Sequence, residues 1–143
     1  MKSVFETEVD IPQARLAELY ANPENNIKWM PDVEKYEPIS GTPGMVGSKY
    51  KLIPKKGNLV FTVTVISRNL PNEIRLHLEA SSVNVLVVGK FIALSSEKTK
   101  FLSEEIFTFK GFNKLFGFFA QGAVRKAHHK HMNSFKEFAM SIK

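Results

Sequence analysis

The chain has 143 residues, of which 43% are hydrophobic and 11% aromatic, with a formal net charge of +6 and no cysteine. That length suits a single domain spanning 1–143 with a substantial core, and the composition excludes a disordered chain. Without cysteine there is no disulfide and no thiolate metal site, so a reducing compartment is expected.

Acidic residues interrupt the first ten positions before any apolar run forms, which reads as no signal peptide and a cytoplasmic protein. The longest apolar run, 85–88, falls far short of the ~20 residues that span a bilayer, so no stable membrane insertion is expected. Residues 3–9 alternate, with Phe5, Val9 and then Ile11 on one side, as in a half-buried strand. Asp10 stands three residues before Gln13 with Pro12 between, a pattern that suits a capped helix start. That helix carries Ala14, Leu16, Ala17, Leu19 and Tyr20 and stops at Asn22 and Pro23. A second short helix over 24–30 ends at Pro31, because the residue before a proline is pushed away from helical geometry. Residues 33–39 form a short strand closed by Gly41, Pro43 and Gly44.

Strand then follows strand. Val46, Ser48, Tyr50 and Leu52 share a face, and Lys56, Gly57 and Asn58 make a hairpin turn. Leu59, Phe61, Val63 and Val65 alternate until Leu70, Pro71 and Asn72 turn the chain. Ile74, Leu76, Leu78 and Ala80 alternate with Glu73, Arg75, His77 and Glu79, and Ser81 and Ser82 turn again. Residues 83–94 are apolar on both faces, and 101–109 return, ending at Gly111. Turns this short pair consecutive strands as an antiparallel meander. From 112 to 142 runs one helical pattern. Its apolar stripe takes in Phe112, Phe116, Phe119, Ala120, Ala123, Val124, Ala127, His131, Phe135, Phe138 and Ile142. Such a helix is roughly 45 Å long and must lie along the sheet. The fold class is therefore α+β, a curved antiparallel sheet gripped by a long C-terminal helix.

Four segments then carry a resemblance. Asp10-Ile-Pro-Gln, the helix ending Ala21-Asn-Pro-Glu and the turn Lys28-Trp-Met-Pro-Asp-Val resemble the opening of the START-like, or SRPBCC, helix-grip superfamily. Gly44-Met-Val-Gly-Ser-Lys-Tyr-Lys-Leu resembles its Gly-x-x-Gly-x-x-Tyr-x-Leu strand. Val65-Ile-Ser-Arg-Asn-Leu-Pro-Asn-Glu-Ile resembles its proline-turned hairpin, and 111–141 its basic closing helix. The likeness is to the polyketide cyclase/dehydrase and lipid-transport branch. It implies seven strands around a cavity. Function follows less directly, since one fold hosts lipid carriers, polyketide cyclases and quinone-binding proteins alike.

On that plan the cavity wall is expected from Tyr50, Phe61, Val63, Leu76, Leu78, Phe91, Glu105 and Phe107. The helix would add Phe116, Phe119 and Ala123, with Trp29 packing one end. Glu105 shares a face with Phe101, Ser103, Phe107 and Phe109, so it points inward if they do; a bulge, or burial of Leu102, Glu104 and Ile106 instead, would turn it out. Inward burial would raise its pKa and suit it to acid–base work. His131 falls in the apolar stripe and reads as a hydrogen-bonded core residue. His128 and His131 could face one ion, but no carboxylate lies at matching spacing, so no metal site is expected. Gly117 and Gly122 interrupt the helix, either for close packing or as a gate. Nucleophile and phosphate-loop motifs are absent, and no cofactor is implied.

The reading is a noncatalytic binder of a hydrophobic small molecule such as a lipid, polyketide, isoprenoid or quinone. The alternatives are an aromatase/cyclase-type enzyme using Glu105, Tyr50 or His131 for proton transfer, and a protein-partner module with a filled core. The scattered lysines and arginines lack the aromatic interleaving of a nucleic-acid site, so none is expected. The two-faced segment 83–94 leaves Leu86, Val88 and Ile92 on the outer face. Either long neighbouring side chains cover them, or a weak homodimer does.

Overall fold

The computed structural model describes residues 1–111 and 120–142. Its elements run β1 (Lys2–Val9), α1 (Gln13–Ala21), a 3-10 turn (Pro23–Asn25), α2 (Asn26–Trp29), β2 (Val33–Ser40) and β3 (Lys49–Pro54). They continue with β4 (Phe61–Asn69), β5 (Glu73–Glu79), β6 (Val83–Ser95), β7 (Lys98–Phe109) and α3 (Gln121–Ser141). The seven strands form one antiparallel sheet in the order β1-β7-β6-β5-β4-β3-β2. The short turns make β2 through β7 a meander, and β1 closes onto β7, bringing the first and last strands together. Phe112, Phe116, Gly117 and Phe119, expected in the long helix, lie outside the described residues.

Two local expectations are corrected. Asp10 does not cap α1: Pro12 occupies the N-cap position, and no side chain bonds the helix start. The Gln13 amide instead donates to the Phe91 carbonyl at 2.7 Å and to Asn72 Oδ1 at 3.2 Å, tying α1 to β6 and the β4–β5 turn. Val46 is not on the inward face of β3 but 60% exposed in the preceding loop. Gly44 and Gly47, at φ of +82° and +86°, hold a backbone that a strand cannot adopt, so inward alternation begins only at Ser48.

The interior divides along the sheet. At one end, α1 and the C-terminal half of α3 pack on β1, β6 and β7 through Leu16, Tyr20, Phe91, Phe101, Met132 and Phe135. Tyr20 and Trp29 stack with ring centroids 6.0 Å apart, and Phe135 meets both edge-on. Gly89 lets α1 seat this closely, since a Cβ there would lie 3.1 Å from the Tyr20 ring. At the other end the sheet and α3 separate, and there the cavity opens.

The helix presents a different face from the one its apolar residues suggest. His128, Met132, Phe135 and Ala139 are the buried positions of α3, a 4-3-4 spacing that keeps one narrow seam against the sheet. Ala123 and Ile142 are exposed, and His131 is half-buried, so the expected stripe is rotated by about one residue. The outer face of β6 is also settled in part within one chain. Val88 is 3% exposed, flanked in the sheet by the long side chains of Arg75 and Glu104, whereas Ile92 is 45% exposed.

Candidate functional site

The cavity measures about 790 Å³, within the size range of small-molecule sites. Its floor is the inward face of the sheet, through Leu52, Phe61, Leu78, Val85, Glu105 and Phe107. Val124 and Ala127 roof it from the N-terminal half of α3, and the segment from Met30 to Val33 forms one side. The two apolar side chains that α3 sets over this space, Val124 and Ala127, are small. Where α3 carries Met132 and Phe135 instead, the same gap is solid core.

Glu105 points inward. The β6–β7 register runs without a shift from Val83↔Phe109 to Ala93↔Thr99, so Phe101, Ser103, Glu105 and Phe107 share the concave face. Its carboxyl lies at the inner end of the cavity, and burial pushes its pKa up to about 7. Beside it, His128 Nδ1 is 2.7 Å from Ser3 Oγ and Nε2 is 2.9 Å from Ser103 Oγ. Each serine hydroxyl can donate or accept, so a neutral imidazole is satisfied at both nitrogens in either tautomer. Burial, then the neighbouring His129 and His131, hold His128 down to about pKa 4. Glu105 Oε2 and His128 Nε2 are 3.7 Å apart. Near pH 5–6 that contact joins two uncharged groups and is not an ion pair.

The sequence weighs His128 only as half of a metal pair with His131, whereas here it is a buried residue beside Glu105. Ser3 and Ser103 carried the signal: two buried hydroxyls on inward strand faces need polar partners, and a histidine on the facing helix can serve both. His131, expected in the core, stands instead at the cavity mouth with Nε2 3.0 Å from Asp32 Oδ1. The rotation of the stripe by about one residue brings His128 into the seam and leaves His131 at its edge.

Of the other expected wall residues, Phe61, Leu78 and Phe107 border the cavity. Trp29 and Phe91 do not, because the aromatic core takes them up: Phe91 stacks on Phe101 at 5.4 Å, and the indole N–H of Trp29 has no partner among the described residues. Val63, Leu76 and Tyr50 face inward but pack between strands rather than bordering the space. Tyr50 is buried, its hydroxyl accepts a bond from Asn26 Nδ2 at 3.4 Å, and burial raises its pKa. Ala123 lies on the exposed side of α3, and Phe116 and Phe119 are outside the described residues. Gly122 is exposed as well, with no atom of the described residues near enough to require close packing.

No family model matches this sequence, and no curated protein matches it. Solved structures do resemble it. An aromatase/cyclase from a Streptomyces species superposes with a TM-score of 0.79 at 15% identity, covering 98% of this chain and 93% of that one. A START superfamily protein from Mycobacterium smegmatis gives 0.77 at 12% identity, with 99% of each chain covered. Norcoclaurine synthase from Thalictrum flavum, solved with dopamine and hydroxybenzaldehyde, gives 0.74 at 14% identity, covering 100% and 89%. At such identities the likeness is one of fold. This chain has the helix-grip fold of START-like proteins, as its sequence motifs imply. Among the described residues no helix is long and apolar enough to cross a membrane.

Proposed function

We propose that this chain binds a hydrophobic small molecule, of the size of a lipid, polyketide, isoprenoid or quinone, and does not transform it. One observation carries the reading: a largely apolar cavity of about 790 Å³ is held open between sheet and helix in a chain whose other end is fully packed. An apolar space of that size is costly unless something fills it, and burying a ligand there returns about 25 cal/mol per Å² of apolar surface. A partner module with a filled core fits this interior less well. Native mass spectrometry of gently purified protein is expected to report a bound apolar mass. Leu78→Trp, which places a large ring in the cavity, should abolish that adduct at little cost in thermal stability. Wild-type protein that stays empty after incubation with apolar dyes and lipid extracts would count against binding altogether.

The cyclase-type alternative has one observation in its favour, the protonatable Glu105 beside neutral His128 at the inner end of the cavity. It differs in its signature: Glu105→Gln would stop turnover of a bound polyketone yet leave affinity intact. Self-association through the outer sheet face is a separate proposal. With Val88 covered, it would rest on Ile92 and the half-buried Leu86. Sedimentation of wild type against Ile92→Glu tests it, and a wild type that is monomeric at every concentration ends it.

A further inference from the structure

The cavity is polarised. Its inner end offers no free cation: His128 is held by Ser3 and Ser103, and among the described residues the other polar group there is the Glu105 carboxyl. Its mouth is cationic. Lys55 and Lys56 reach it from the β3–β4 hairpin, and Lys130 from α3 on the other side of the opening. All three are exposed, and none makes an ion pair or side-chain hydrogen bond among the described residues. Among the described residues the carboxylate at the mouth is Asp32, which His131 engages at 3.0 Å.

We propose that the ligand is a single-chain amphiphile with one anionic head, seated apolar end first, its head left at the mouth between Lys55, Lys56 and Lys130. This deepens the binding reading above and rests on it. A neutral hydrocarbon would leave the lysines without a role in binding. A cation would meet three like charges at the entrance. A ligand entering head first would bring its charge into an apolar interior that also holds a carboxyl, with no cation there to meet it. Carboxylate and phosphate are the two heads that lysine ammonium groups at an exposed rim would take, as point charges rather than as planar forks.

The test measures displacement of an apolar fluorescent dye from the full chain by dodecanoic acid, dodecan-1-ol and dodecyl phosphate, which share a chain and differ in head. At low salt the acid or the phosphate is expected to bind roughly tenfold tighter than the alcohol, as three exposed charge contacts of modest strength would give. Whichever of the two binds tighter identifies the head. The Lys55→Gln, Lys56→Gln, Lys130→Gln variant, checked for an unchanged melting temperature, should bind all three alike, and high salt should do the same to wild type. Alcohol binding as tightly as both anions in wild type would overturn the proposal while leaving the cavity reading intact. A dye that does not bind at all would instead overturn the cavity reading.

Discussion

Phe135→Ala is expected to cost about 3–5 kcal/mol of stability. The ring is fully buried at the crossing of three elements, within 5.2–5.3 Å of Tyr20, Trp29 and Phe101 by ring centroid. Its removal leaves a void between α1 and α3 that the sheet beneath, already close-packed through Phe91 and Phe101, cannot collapse to fill. For a domain of this size the melting temperature should fall by roughly 10–15 °C. The informative control is Ile142→Ala. The apolar pattern of the sequence places Ile142 on the same stripe, but it is 42% exposed, and its loss should cost about 0.5 kcal/mol at most. Equal losses at the two positions, read from urea unfolding midpoints, would mean that α3 packs in the phase its apolar residues suggest rather than the one described.

Glu105→Gln should act in the opposite direction, and only at the right pH. In the folded chain the Glu105 carboxyl titrates near 7 rather than its ordinary 4.5. The folded state therefore holds a proton that the unfolded state has released, and stability present below pH 4.5 is lost as pH rises towards 7. His128 titrates near 4 rather than 6.5, so its contribution is present above pH 6.5 and is lost as pH falls towards 4. Between about pH 4.5 and 6.5 the two slopes oppose each other, and wild-type stability should be nearly flat. Removing the carboxyl exposes the histidine slope alone, about 1.4 kcal/mol per pH unit at its steepest. At pH 8 the variant should be the more stable by about 2 kcal/mol, after allowing for the cost of a buried amide without a partner. At pH 4.5, where that gain has vanished, the variant should be the less stable by the amide cost alone, about 1–1.5 kcal/mol. Thermal melts of both across pH 4–8 give the answer. A constant offset at every pH would show that Glu105 is not held protonated by its surroundings.

The sheet was legible in the sequence because period-two alternation is hard to mistake when one face is buried and the turns are marked by glycine and proline. Ile74, Leu76 and Leu78 against Arg75, His77 and Glu79 set β5 in register, and the shared face of Phe101 and Phe107 carried Glu105 inward with them. The phase of the last helix was not legible in the same way. Alanines at 120, 123 and 127 count as apolar in any pattern yet bury little, while His128 counts as polar yet lies in the seam because two serines from distant strands receive it. Met132 had no place in the expected stripe and is 2% exposed. Helical periodicity sees one element at a time, and here the deciding partners lie 125 and 25 residues away. The cavity wall shows the same limit. Facing inward was readable at Phe91 and Val63, but whether an inward side chain meets empty space or another ring depends on what the opposite layer brings.

The division of α3 into a packed half and a roofing half separates two kinds of mutational risk. Changes at Met132, Phe135 or Ala139 fall on residues that hold the fold together, so most of them are filtered out by instability. Changes at Val124 or Ala127, or across the sheet at Leu78 or Phe107, reshape the space where a ligand would sit. The two sets belong to different packing clusters, so their effects should be largely separable. A scaffold arranged in this way can drift from one ligand to another by single substitutions without passing through an unfolded intermediate. It offers one physical reason why structures with such small sequence identity retain the same architecture.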